Sequence, residues 1–109
     1  MKDGIDKFKD DLRIAGLKNP QLFIEKLERI GLSRLEFNIM KLRYVDGLLI
    51  KQMPDLLQIE DRWIKRVHSR AIIKALDGLS VADLLELGVH IEATPRTLYQ
   101  TYSLAILKV

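Results

Sequence analysis

Between Gln58 and Arg70 the chain reads QIEDRWIKRVHSR: Arg62, Lys65, Arg66, His68 and Arg70 stand around Trp63, with Ile59, Ile64 and Val67 threaded between them. Guanidinium and ammonium groups neutralise phosphates, a guanidinium can also donate paired hydrogen bonds to guanine, and an indole offers a stacking plate. If the stretch is helical, the apolar residues take one side and the cations the other. The chemistry implied is recognition of a polyanion, not the making of bonds. Other chemistries lack their residues. The chain has no cysteine, which removes disulfides, thiolate zinc sites and thiol nucleophiles. His68 reads as sitting at the edge of the basic face, and His90 lies in a different segment, so no metal-ligand spacing arises. Asp10-Asp11 reads as a solvated helix face, and neither a phosphate-cradling glycine loop nor a G-x-S-x-G elbow is present. No enzyme activity, cofactor or metal is expected.

The elements that must position these residues follow from apolar spacing. Residues recur every three to four positions and no stretch alternates, so helices are expected throughout and no sheet. A first helix is predicted from Ile5 to Ala15, with Ile5, Phe8 and Leu12 on one face and Gly16 as its stop. A second starts at Pro20, carries Phe23, Leu27 and Ile30 inward and ends at Gly31. Ser33 with Glu36 three residues on predicts a capping box for a third helix whose buried stripe is Leu35, Ile39 and Leu42, closed before Asp46-Gly47. A short helix over Ile50–Leu57 and a longer one over Asp61–Leu76, ended by Asp77-Gly78, come next. Ser80 caps a sixth helix stopped by Gly88, and Thr94-Pro95 opens a seventh carrying Leu98, Tyr102, Ala105 and Ile106.

With 109 residues, 48% of them hydrophobic and 30% charged, the chain is expected to fold as one all-α domain of six to seven helices. Its parts are N-terminal helices over residues 1–31, a central unit over 32–78 and a C-terminal helical hairpin over 79–109. The opening segment has no apolar run of signal or anchor type, and none elsewhere approaches the roughly 20 residues of a membrane span. A cytoplasmic protein without a membrane partner is expected. The net charge is +3, but residues 48–74 carry six basic and three acidic groups against two and four in residues 75–109. That unevenness concentrates the basic field in the middle of the chain.

Two helices that cross steeply need apolar residues near the end of the first, just after the turn and on the inner face of the second. Met53, Leu57, Ile59, Ile64 and Val67 supply them, which predicts a helix-turn-helix. Its second helix then turns Arg62, Trp63, Lys65, Arg66, Ser69 and Arg70 outward toward phosphates and base edges. Leu32 to Leu76, with its opening Leu-Ser, the LRYVDGL junction and the late K-R-x-x-S-R-A run, resembles region four of bacterial sigma factors and the sigma-like regulators of phages. The resemblance covers about two fifths of the chain. It implies a DNA-binding transcription regulator that contacts double-stranded DNA through those six residues, adds Arg43 and Lys51 as backbone contacts, and can touch RNA polymerase.

The family usually has Ala where this chain has Pro54, Gly where it has Gln58, and a small residue where it has Trp63. Pro54 is therefore expected in the first turn of its helix, and Gln58 must accept a left-handed conformation or alter the turn. The promoter-melting part of a sigma factor is not found here, so an accessory regulator is expected. The apolar surround of the last helix suggests a homodimer through it. The alternative is a non-catalytic interaction module that keeps the fold and binds RNA polymerase or another protein without specific DNA binding.

Overall fold

A chain whose apolar residues repeat at helical spacing and whose punctuation is Gly, Ser and Pro has few ways to satisfy its backbone other than short helices. The structure, a computed structural model, describes residues 4–89. Within them the fold is all-α: α1 (Gly4–Lys18), α2 (Pro20–Arg29), α3 (Arg34–Tyr44), a 3-10 turn at Ile50–Gln52 that runs into α4 (Met53–Leu57), then α5 (Asp61–Gly78) and α6 (Val81–Glu86). No helix among the described residues is long and apolar enough to cross a membrane. The predicted seventh helix, its dimer contact and His90 lie outside the described residues.

The capping signals act as their chemistry requires. The Ser33 N–H donates to Glu36 Oε1 at 2.7 Å while the Glu36 N–H donates to Ser33 Oγ at 3.2 Å. Ser80 and Asp83 repeat the arrangement at the head of α6, at 2.8 and 3.0 Å. Pro20 opens α2, and Gly31, Gly47 and Gly88 take the left-handed conformation at the ends of α2, α3 and α6 (φ +77, +80 and +87°).

Two other glycines play a different part. Gly16 does not stop α1, which continues to Lys18; a Cβ there would overlap the carbonyl oxygen of Tyr44, so its lack of a side chain lets α1 lie against the end of α3. Gly78 is the last residue of α5 and has no positive φ; a Cβ would come within 2.7 Å of Ile30 Cγ2. Gly16, expected as a stop, is a place of close approach instead, and Gly78 is both the expected end of α5 and such a place.

Two apolar clusters hold the helices. The larger gathers Phe8, Leu12, Phe23, Leu27, Met40, Tyr44, Ile72, Leu76, Leu84 and Leu87 with their smaller neighbours. The smaller consists of Ile39, Met53, Ile64 and Val67, flanked by half-buried Leu35, Leu42, Leu48, Ile50, Leu57 and Ile59. Full burial of each of those four contributes roughly 1.5–3 kcal/mol. α3 and α5 run through both clusters: Ile39, Ile64 and Val67 serve the smaller one, and Met40, Tyr44, Ile72 and Leu76 the larger.

Polar residues enter the interior only with partners. Asp11 is buried, not solvated as expected, and takes the Lys7 ammonium at 2.9 Å. Burial raises its pKa, and Lys7 opposes that rise. Lys26 is buried between Asp83 (2.8 Å) and Glu86 (3.3 Å), tying α2 to α6. Glu36, buried in the first turn of α3, accepts from Lys74 of α5 at 2.8 Å.

Candidate nucleic-acid interface

The segment from Met53 to Arg70 is organised by its turn. α4 is only five residues long, and Pro54 falls in its first turn, where the missing N–H removes no hydrogen bond. At its end Gln58 adopts φ 58°, ψ 45°, the left-handed conformation, and is the one non-glycine residue to do so among the described residues. Its backbone N–H closes onto the Pro54 carbonyl, and its side-chain Nε2 donates to the Asp55 carbonyl at 2.7 Å. Gln58 thus keeps the conformation that a glycine would have supplied, with a local hydrogen bond offsetting part of the cost. Ile59 then drops toward the smaller cluster and Glu60, extended at φ −60°, ψ 143°, leads into α5.

Once Ile64 and Val67 are seated, the rest of the helix surface is determined. At about 100° per residue, Arg62, Trp63, Lys65, Arg66, Ser69 and Arg70 fall within an arc of about 160°. All six are exposed. Arg62 Nε lies 3.1 Å from Glu60 and Lys65 Nζ 2.9 Å from Asp61. Arg66 places its guanidinium carbon 5.7 Å from the centroid of the Trp63 ring. The first turn of α5, with Gln58, Ile59, Glu60, Arg62, Trp63 and Arg66, lines a shallow cleft. The acidic pair at the head of α5 suits the positive end of the helix dipole and tempers the cationic field beside it.

Lys51 is exposed on the 3-10 turn, just before α4. Arg43 is half-buried on α3, its guanidinium carbon 5.6 Å from the Tyr44 ring centroid. His68 does not stand at the edge of the basic face. It is buried on the inner side of α5, with Nε2 2.9 Å from the Tyr44 hydroxyl and the two rings stacked at 5.8 Å. Burial, with Lys9 and Arg43 adding to it, lowers its pKa to about 4, while burial pushes Tyr44 up to about 12. The imidazole and the phenol are both neutral near pH 7 and share one hydrogen bond. Sequence spacing alone put His68 one helical step from its true place: it follows Val67 and precedes Ile72 by four, a pattern the buried stripe could have claimed.

Among the described residues no cluster of three or more His, Asp or Glu side chains is placed to hold a metal ion. Compared with known proteins, the chain matches no family model, no curated protein and no solved structure.

Proposed function

We propose that this chain is a transcription regulator that binds duplex DNA in the manner of sigma region four, its α4–turn–α5 unit acting as a helix-turn-helix with α5 in the major groove. The observation that carries the reading is the outward arc of α5: three arginines, a lysine, a serine and an indole exposed together on a helix whose opposite side is seated in its own apolar cluster. Such a face can approach phosphates and base edges without unfolding anything. Lys51, exposed just before α4, is a further phosphate contact in this reading, and Arg43 a weaker one. RNA polymerase is the partner through which a single short recognition helix gains enough contact for a defined site. A reducing cytoplasm suits a chain without cysteine.

Salt tests the reading. Neutralising about four phosphates gives a log–log slope of affinity against salt near −4, at about −0.9 per phosphate. Duplex binding with that dependence, lost in Lys65→Glu/Arg66→Glu, is the expected result; affinity indifferent to salt and to the charge reversal sinks it.

A second reading is an interaction module for RNA polymerase or another protein. Exposed apolar surface favours it: Leu56 on α4 is 58% exposed and Trp63 44%. Under that reading Trp63→Ala abolishes partner capture while the charge reversal leaves it intact.

A further inference from the structure

The four cations on the arc differ in what already engages them. Arg62 and Lys65 are held by Glu60 and Asp61, whereas Arg66 and Arg70 meet no carboxylate among the described residues. Arg66 lies over the Trp63 ring, one helical turn back, at 5.7 Å. An ion pair occupies the hydrogen-bonding edge of a cation. A ring contact covers the guanidinium face and leaves its edge N–H groups open. Of the four, Arg66 is therefore the cation with a ring neighbour and with a fork that meets no carboxylate among the described residues. It is also close to the N-terminal end of α5, the part of a recognition helix that meets base edges.

We propose that Trp63 and Arg66 act as one unit that selects a single guanine in duplex DNA. Arg66 donates two parallel hydrogen bonds to guanine N7 and O6, and Trp63 is the positioning residue that holds the guanidinium plane for it. The inference rests on the duplex-binding reading above and adds which base is chosen and by what. A free arginine side chain loses rotamer freedom when it grips a base; contact with the indole removes part of that loss beforehand. Arg62 and Lys65 must first leave Glu60 and Asp61, which suits them to phosphates at variable distance rather than to a fixed base edge.

The test is selection of bound duplexes from a random pool by the wild-type protein, Arg66→Lys, Trp63→Ala and Trp63→Phe, with the affinity of each for an unselected duplex measured alongside. Both positions of change carry exposed side chains, and circular dichroism checks that helix content is kept. The expected result is a wild-type motif with one required guanine. Arg66→Lys, which keeps the charge and loses the fork, should lower the preference at that position by about tenfold or more, a far larger loss there than at any other position of the motif. Trp63→Ala should lose part of the same preference at the same position, and Trp63→Phe, which keeps a ring face, should restore some of it.

A motif untouched by Arg66→Lys, or an equal loss at every position, overturns the proposal. So does loss of preference in Trp63→Ala at positions that Arg66→Lys leaves alone. Salt-dependent duplex binding with no enriched motif overturns the guanine assignment and leaves the duplex-binding reading standing; no duplex binding at all ends both.

Discussion

His68 is held neutral by its surroundings, and the stability of the protein must register that. An imidazole with an ordinary pKa of 6.5 is pushed to about 4 in the native state, first by burial and then by Lys9 and Arg43. Between those values the unfolded chain binds a proton that the native protein does not, so stability rises with pH across the window. It is full above about pH 6.5 and declines on acidification toward pH 4, by on the order of 3 kcal/mol from this one group. Asp11, whose burial raises its carboxyl pKa, works the other way in the lower part of the same window. Comparison with His68→Gln isolates the imidazole: Gln can still bond the Tyr44 hydroxyl but cannot titrate. Urea unfolding from pH 8 to 4 should show the wild-type decline and a markedly flatter curve for the variant; parallel curves would mean that the imidazole charges freely in the native state. Position 68 fits the buried stripe of α5, but the partner that makes an imidazole acceptable there was not legible locally. The choice was made by Tyr44, 24 residues away, whose hydroxyl supplies the partner that a buried ring nitrogen needs.

At the scale of elements, the lesson lies in the glycines. Gly31, Gly47 and Gly88 end helices by accepting positive φ, which a sequence announces because the turn and the helix end coincide. Gly16 and Gly78 carry the same letter for another reason, since each marks where a neighbouring segment presses on the backbone. A sequence holds no trace of Tyr44 lying across α1, and so the expected α1 ends three residues early. Gly16→Ala should force α1 away from the end of α3, where no flexible side chain can yield, and destabilise by about 2–3 kcal/mol or more. Thermal unfolding monitored by circular dichroism would check it. A change within a few tenths of a kcal/mol would place Gly16 outside any close contact. By contrast the α4–turn–α5 unit was read almost residue by residue: Met53, Ile64 and Val67 are buried, Leu57 and Ile59 flank them, and Pro54 and Gln58 take the places that backbone chemistry allows. Its information is local, with every decisive residue within fifteen positions of the others.

For the whole molecule, what escaped the sequence is how distant charges meet. Lys26 with Asp83, and Lys74 with Glu36, join residues 57 and 38 positions apart, and only the packing of apolar faces decides which charges become neighbours. The outward arc of α5 was legible for the converse reason: residues excluded from a core need no partner to be exposed.

The passage of one continuous helix through both apolar clusters sets how the protein breathes. Ile72, Ala75 and Leu76 are locked among residues of α1, α2, α3 and α6, whereas the beginning of α5 leans on the short α4, the 3-10 turn before it and part of α3. Amide protons near Leu76 should trade with deuterium only when the entire chain opens, and those near Lys65 should do so sooner, through partial opening at the α4 end. Uniform protection from Lys65 to Leu76 would show a single cooperative block instead. A graded helix of this kind is firm at the root and pliable at the tip, so in the proposed duplex-binding role the tip would adjust its fit without loosening what anchors it.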